Sequence, residues 1–352
     1  MNYPNPEIPI EGSDPLRNDM FIAEKNGKLT PGQLQVIYDR RWFHLFVPNK
    51  YGGLNLSLPE AIRLEENISY VDGSVGWVVT LCAGAAMFAG YFEEDLARRV
   101  FTDQSVCLAG SGKPNGIAKS IEGGFEINGT WPYASGAAHA THFTANCIIE
   151  NTGEIHSFIF CKEEVTLSPD WNYLGLNATS GYSFSVKDLK VPADRTFMID
   201  PLHAYLPDPV YRYPFLQFAE ATIAATMSGM CNYFFDLAGK IIANKQTIRP
   251  GSDIKKTYAL ELLNTGKSKI RLLRNKFYDE IDRSWSSHIS GTALTTTELN
   301  SVSATSLELA QQARMLVNEL YAYCGMEAAQ TNTVINQVWR NINTASQHTL
   351  LS

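Results

Sequence analysis

A chain of 352 residues, 45% of them hydrophobic and 18% charged, is long enough to bury large cores and too apolar to be disordered. Its formal net charge of −7 argues against nucleic acid as a partner, because phosphate binding depends on clustered Lys and Arg. The six cysteines are spread along the chain without a C-x-x-C pair. We therefore predict neither a disulfide framework nor a metal site.

Residues 1–104 are predicted to form an N-terminal helical domain. Thr30-Pro31 and Ser57-Leu58-Pro59-Glu60 are helix start signals, because Ser and Thr cap free backbone N–H groups and Pro is tolerated in the first turn. Residues 75–92 lack charges over about 18 residues, the lower limit for a membrane span. They are rich in Gly and Ala and lead into three acidic residues, so we interpret them as the buried helix of a cytoplasmic protein without membrane partners.

Residues 105–200 are predicted to form an antiparallel β-barrel. Residues 123–131 alternate apolar and polar side chains between Gly-rich turns, as a hairpin does. Short runs rich in aromatic and β-branched residues follow at 141–149, 155–161 and 182–186. Several short strands with regular turn signals favour a small barrel.

Residues 201–352 are predicted to form a C-terminal four-helix bundle. Helical segments cover 215–245, 254–289, 297–324 and 332–350, with breaks at 249–253, 290–291 and 325. Gly110-Ser111-Gly112-Lys113 is not a dinucleotide-binding fingerprint, because Pro114 and the strand-like residues after it forbid the helix that such a loop must open.

Four motifs, in this order along the chain, resemble segments of the acyl-CoA dehydrogenase superfamily. They are residues 47–54 (VPNKYGGL), 72–77 (DGSVGW), 129–136 (GTWPYASG), and 175–180 (GLNATS) with the Val-Pro pair at 191–192. The resemblance implies an α+β multidomain chain, in which a helical domain, a β-barrel and a four-helix bundle follow one another.

The chain ends in VWRNINTASQH at residues 338–348, which resembles the W-R-D-x-x-x-A-S-x-H ending of flavin-dependent two-component monooxygenases of the 4-hydroxyphenylacetate hydroxylase and dibenzothiophene monooxygenase kind. The E-G-T turn that dehydrogenases of the superfamily usually carry is absent. The resemblance implies a hydroxylase that uses FAD or FMN, supplied in reduced form by a separate reductase, on a small aromatic or related substrate. It also implies a homotetramer.

The resemblance places Ser135 near flavin N5 and His348 as the general base, a role that suits a side chain titrating near neutral pH. Trp131 and Tyr133, two residues apart on a predicted strand, are expected to wall the flavin ring. His139 and Asn341 are candidate substrate contacts, and Asn341 stands where the family usually has Asp. The further cofactor contacts implied are Ser111, Gly136, Thr179, Ser180 and Arg340.

Several of these residues also have a structural interpretation. Trp131 and Tyr133 fit barrel core, Arg340 fits an ion pair with an acid on a neighbouring helix, and His348 fits an exposed residue near the end of the chain. Two other functions stay open from the sequence. One is an acyl-CoA dehydrogenase with bound FAD and a carboxylate base, for which Glu220, Glu308, Glu319 and Glu327 are available; the other is a flavin-free binding protein.

Overall fold

The computed structural model describes residues 14–245 and 252–351. Two predicted helix starts are confirmed, because the hydroxyls of Thr30 and Ser57 cap their helices in reciprocal pairs with Gln33 and Glu60. The helices of the N-terminal part are α1 (Asp14–Asn18), α2 (Met20–Asn26), α3 (Pro31–Asp39), α4 (Leu58–Val71), α5 (Gly73–Ala86) and α6 (Glu94–Val100).

Helix α5 is the apolar segment singled out in the sequence. With the turn that follows it, Gly73–Tyr91 is the one stretch of the described residues long and apolar enough to cross a membrane, and 89% of its apolar window is buried inside the chain. The side chain of Asp72 caps the helix by accepting from the N–H groups of Ser74 and Val75. In this fold the stretch is therefore a central core helix.

The middle of the chain forms one seven-stranded sheet in the described residues, with the order β5-β6-β2-β1-β3-β4-β7. β1 and β2 form the predicted hairpin, which turns at Glu122-Gly123. The aromatic rings of Trp131, Phe143 and Phe184 pack in the core of this sheet. The strands are β1 (Leu108–Ile121), β2 (Gly124–Ala134), β3 (His142–Ile149), β4 (Ile155–Cys161), β5 (Thr166–Ser168), β6 (Tyr182–Pro192) and β7 (Thr196–Phe197).

The prediction of a closed antiparallel barrel is wrong. The sheet is mixed, because β1 pairs with β3 in parallel, and the edge strands β5 and β7 are not paired with each other in the described sheet. The alternation of side chains along a strand is the same in both pairings, so the sequence pattern could not reveal the parallel pair. Side chains of the strands themselves form a separate core inside this sheet.

The four long helices predicted for the C-terminal part are confirmed. Helix α8 is the central one, because it packs against α4 of the N-terminal part as well as against α9, α10 and α12. The predicted break at residues 249–251 lies outside the described residues. The helices are α7 (Pro209–Arg212), α8 (Phe215–Asn244), α9 (Ser252–Ile289), α10 (Thr296–Tyr321), α11 (Met326–Ala329) and α12 (Val334–Ala345).

A buried carboxylate fastens α4 to α8 and α9. The carboxylate of Glu66 accepts hydrogen bonds from the guanidinium of Arg274 (Nη2 to Oε2, 2.7 Å), the hydroxyl of Tyr278 (2.6 Å) and the hydroxyl of Ser228 (2.6 Å). Removing one partner from such a buried network leaves the opposite charge without its counterion. The network therefore ties the N-terminal helices to the C-terminal ones.

We expect Glu66→Gln to lower the free energy of unfolding by about 3–5 kcal/mol, because the buried Arg274 loses its counterion. Glu308→Gln is the matched control, since Glu308 pairs with Lys276 in an exposed bridge (3.1 Å) worth less than about 1 kcal/mol. Urea denaturation of the three proteins measures the difference. Equal losses in both variants would contradict a structural role for the buried pair.

Candidate active site

A cavity of about 250 Å³ lies between the sheet and helices α5 and α8. Its wall combines small and hydroxyl-bearing residues from the strands with apolar side chains from the helices. The lining residues are Thr80, Leu81, Gly84, Ala85 and Phe88; Gly110, Ser111, Gly112, Ser135, Thr144, Ala145, Asn146 and Ser157; Ile199; Phe215, Phe218, Ala219, Thr222 and Ile223; and His348 and Leu350.

Ser135 reaches this cavity through a tight turn at the end of β2. Gly136, which follows it, has a φ of 84°, a left-handed conformation that glycine adopts readily. A Cβ at Gly136 would also lie 2.5 Å from Sγ of Cys82 on α5. The Gly136 N–H donates to the carbonyl of Thr179 (2.8 Å), which fixes the turn. The Ser135-Gly136 pair is therefore shaped by close contact with α5.

Trp77 of α5 orients the Ser135 hydroxyl. The indole N–H of Trp77 donates to Oγ of Ser135 (3.1 Å). An indole can only donate, so the O–H of Ser135 remains available to donate in turn to a ligand. The ring of Trp77 also meets the ring of His348 edge-on, with centroids 5.8 Å apart. One buried tryptophan thus contacts both predicted catalytic residues.

His348 lies at the cavity after the end of α12. Its Nδ1 accepts a hydrogen bond from the backbone N–H of Leu350 (3.3 Å). Because a backbone N–H can only donate, the neutral ring carries its proton on Nε2. Burial lowers the pKa of His348 below its ordinary 6.5, so the ring is neutral at pH 7.

The cavity is otherwise free of charge. Among the described residues, no Asp, Glu, Lys or Arg lines it, and His348 is its one histidine. Two of its hydroxyl-bearing residues are occupied within the protein: Thr80 bonds Thr226 (3.0 Å), and the hydroxyl of Ser157 donates to Asn146 (2.7 Å). The hydroxyls of Ser111, Ser135 and Thr144 and the Nε2–H of His348 are therefore the donors that these residues offer to a bound molecule.

The wall formed by β1 suits the polar edge of a flavin ring. Between Ser111 and Gly116 the pairing of β1 with β3 shifts register, and residues 112–115 pair with neither neighbouring strand of the described sheet. The side-chain amide of Asn146 holds the Gly112 carbonyl (2.9 Å), and a Cβ added at Gly112 would meet no atom within 4 Å. Backbone groups next to the hydroxyls of Ser111 and Ser135 thus border open space and fit an isoalloxazine.

Trp131 and Tyr133 do not share a face, which corrects the prediction. Tyr133 has a φ of 69° at a bulge in the β2–β6 pairing, so the alternation of side chains is broken there. Trp131 is fully buried in the sheet core, where it stacks on Phe184 and donates to the Asn146 carbonyl (2.9 Å). Tyr133 is 48% exposed, beside Trp171 and Tyr173. Neither lines the cavity.

Thr179 and Ser180 support the turn from behind instead of lining the cavity, another correction. Both are completely buried. The Thr179 hydroxyl donates to the Leu176 carbonyl (2.7 Å), and the Ser180 hydroxyl accepts from the N–H of Ala138 (3.3 Å). His139, predicted to contact substrate, also lies off the cavity wall, and burial lowers its pKa to about 4.

Arg340 forms the ion pair with an acid on a neighbouring helix that the sequence also allowed, and Asn341 bridges segments of the chain; neither lines the cavity. The guanidinium of Arg340 forms a two-pronged ion pair with Glu24 of α2, with Nη2 3.0 Å from Oε2. Asn341 is buried, and its side-chain oxygen accepts from the N–H of Leu176 (2.7 Å). Its amide nitrogen donates to Ser74 (3.3 Å). Both residues therefore hold α12 against the N-terminal helices and the loop before β6.

We expect Asn341→Ala to lower the free energy of unfolding by about 1–3 kcal/mol, because the buried N–H of Leu176 loses its acceptor. Gln347→Ala, an exposed position six residues further on, is the control and should change stability by less than about 0.5 kcal/mol. Thermal and urea denaturation report both. If Asn341→Ala leaves the free energy of unfolding unchanged, the side chain does not bridge these segments.

The sequence interpretation missed four contributors to the site. Trp77 stood in a motif quoted for its resemblance, without a role assigned. Thr80 lies one helical turn after Trp77, a spacing that would have placed both on one face of α5. Phe215 and Phe218 at the start of α8 line the helical wall, and only the packing of α8 against the sheet brings them there.

Comparisons with known proteins agree with this fold. Residues 221–352 match the family model described as acyl-CoA dehydrogenase, C-terminal domain. A pigment production hydroxylase of Rhodococcus sp. (strain ATCC 21145) is 34% identical over 52% of this chain, and the match spans only half of that protein's length. An indole-3-acetate monooxygenase of Pseudomonas putida is 23% identical over 88% of this chain and 80% of its own.

Solved structures share the fold over nearly the whole chain. The 3-HSA hydroxylase from Rhodococcus sp. RHA1 aligns with a TM-score of 0.85 at 19% identity, covering 96% of this chain and 90% of that one. XiaF from Streptomyces sp., solved in complex with FADH2 and glycerol, aligns with a TM-score of 0.84 at 19% identity. This alignment covers 96% of this chain and 89% of XiaF. Residues 221–352 are thus similar to the C-terminal domain of acyl-CoA dehydrogenases, and the whole chain shares its fold with solved monooxygenases. Its named relatives include flavin-dependent monooxygenases.

Proposed function

We propose that this chain is the oxygenase component of a two-component flavin-dependent monooxygenase. It uses reduced FAD or FMN and O2 to hydroxylate a small aromatic substrate. One oxygen atom enters a C–H bond of the substrate, the other leaves as water, and the flavin is released oxidised. The observation that carries the proposal is the convergence of Ser111, Ser135 and His348 on one uncharged cavity bordered by unpaired backbone of β1.

The flavin, when bound, supplies the reducing electrons and the site at which O2 is activated. Ser135, oriented by the indole N–H of Trp77, would donate its O–H to the edge of the flavin ring. His348 donates from Nε2–H to a polar atom of the substrate, since its Nδ1 is engaged by Leu350. This role differs from the general base expected from the sequence, because Nε2 already carries a proton. The apolar side chains of α5 and α8 exclude water.

The cavity and the relatives disfavour the two other functions. An acyl-CoA dehydrogenase needs a carboxylate base at the reacting carbon, and no carboxylate lines the cavity among the described residues. The four candidate acids, Glu220, Glu308, Glu319 and Glu327, are absent from its wall. A flavin-free binding protein is disfavoured by the relatives that are named flavin-dependent monooxygenases. The hydroxylase therefore fits these observations better than either alternative.

The proposal extends to partners and assembly. A separate flavin reductase supplies the reduced cofactor, as suits a chain related to proteins named oxygenase subunit or oxygenase component. Helices α8, α9, α10 and α12 act as the four-helix bundle of the superfamily and bring the chain into a homotetramer. The cytoplasm is the proposed location.

We expect the purified protein, given chemically reduced FAD or FMN and 18O2, to incorporate one 18O atom into 4-ethylphenol. Ser135→Ala should lower the yield about tenfold and release more hydrogen peroxide, because one hydrogen bond of about 1.4 kcal/mol is lost from the site. Ser120→Ala, an exposed serine of the same sheet, is the control. Mass spectrometry and a peroxide assay report the result. If Ser135→Ala gives the same yield of hydroxylated product as Ser120→Ala, Ser135 has no role in the reaction.

The pH profile tests the state of His348. Because burial lowers its pKa, a larger fraction of the His348 ring is neutral at pH 6.5 than of an unperturbed histidine, half of which is charged there. The acidic limb of the activity profile should therefore be centred below pH 6.5, where protonation of Nδ1 breaks the bond from Leu350. His348→Asn should remove this acidic limb. Measurement of kcat/KM from pH 5 to 8 checks both, and a limb centred above 6.5, or one unchanged in His348→Asn, contradicts the assignment.

A further inference from the structure

The cavity wall holds no side chain that could neutralise a charged ligand. Its helical part is built of Leu81, Phe88, Phe215, Phe218 and Ile223, and no Lys or Arg lines any part of it among the described residues. A carboxylate moved from water into such surroundings loses its hydration without gaining a counterion, which costs several kcal/mol. The wall therefore discriminates by charge.

Few polar groups are left free to bind a ligand. The hydroxyl of Thr222 donates to the carbonyl of Ala219 (3.0 Å) within its own helix, and Thr80 is engaged by Thr226. The side chain of Asn146 is engaged at both ends, by Ser157 and by the carbonyl of Gly112. What remains is a small set of neutral donors at one side of an apolar chamber. Such a set matches a ring with one or two polar atoms.

We infer that the substrate of the proposed hydroxylase is an uncharged aromatic compound that carries a hydroxyl, whose oxygen can accept a hydrogen bond, and no carboxylate. That the bound compound is a substrate rests on the proposed function. The selection against charge is a property of the cavity and does not depend on that function. It separates this chain from relatives such as the indole-3-acetate monooxygenase, whose named substrate carries a carboxylate. Selection by charge therefore acts at binding, before any chemistry.

A matched pair of ligands isolates the charge. 4-Ethylphenol and 4-hydroxyphenylacetate have the same ring and hydroxyl, and differ in whether the side chain ends in a methyl group or a carboxylate. Isothermal titration calorimetry of the full chain without added flavin at pH 7 should show 4-ethylphenol binding at least about 100-fold more tightly, or about 2.8 kcal/mol. The methyl ester of the acid, which is uncharged, should recover most of the lost affinity.

A charge placed in the wall should reverse the preference. Thr222 lines the cavity on α8, so Thr222→Lys brings an ammonium group to it, and we expect the acid to gain at least about tenfold in affinity. Thr222→Met is the matched control, because its side chain is long but uncharged. A gain in both variants would attribute the effect to lost packing instead of charge, and would count against the inference.

Three results would overturn the inference. The first is that the acid binds as tightly as 4-ethylphenol, which would point to an anion-binding group such as the first-turn N–H groups of α8. The second is that the ester binds no better than the acid. The third is that none of the three compounds binds at millimolar concentration. If the binding preference holds while reduced flavin and O2 hydroxylate none of them, the proposed function fails and the selection against charge stands.

Discussion

The close approach of α5 to both the sheet and the neighbouring helices is the constraint on which the rest of the structure depends. Gly76 permits α5 to lie against α4, since a Cβ there would be 2.0 Å from the hydroxyl oxygen of Ser69. On another side of the helix, Cys82 touches the Ser135-Gly136 turn. Gly84 has no atom within 4 Å of its Cβ position and borders the cavity. A small residue thus permits close packing of helices at Gly76 and leaves room for the cavity at Gly84.

This packing explains how a helix and a strand turn share one site. Trp77 is held in the buried helix α5 and Ser135 at the end of β2, so the hydrogen bond between them joins the two layers. His348 arrives from the end of α12, which Asn341 and Arg340 fasten to the N-terminal helices and the loop before β6. The residues that resemblance assigned to ligands at 340 and 341 are thus those that position the segment carrying His348.

The helical core contains a buried ion pair, whereas the cavity wall contains no charged side chain among the described residues. The charge of Glu66 is buried but matched by the guanidinium of Arg274, so it costs little and joins three helices. The cavity, by contrast, contains no formal charge beyond a histidine that burial keeps neutral. A dry, neutral chamber strengthens the few hydrogen bonds made inside it, because the local dielectric is low. It also rejects any ligand that would bring an unmatched charge.

Ser135 and His348 became candidates through the family resemblance. The sequence by itself determined the order of helical, strand and helical parts and the capped helix starts at Thr30 and Ser57. These features are local, since caps, turns and periodicity depend on residues a few positions apart. Only the tertiary structure decided that β1 and β3 are parallel, that a bulge at Tyr133 places its side chain at the surface while Trp131 lies in the core, and that Arg340 meets Glu24. Each of these depends on segments distant in the chain, where a hydrophobic or charged side chain is compatible with several partners. The cavity is likewise a feature that only the tertiary structure decided, because its neutral wall exists only where α5, α8 and the sheet meet.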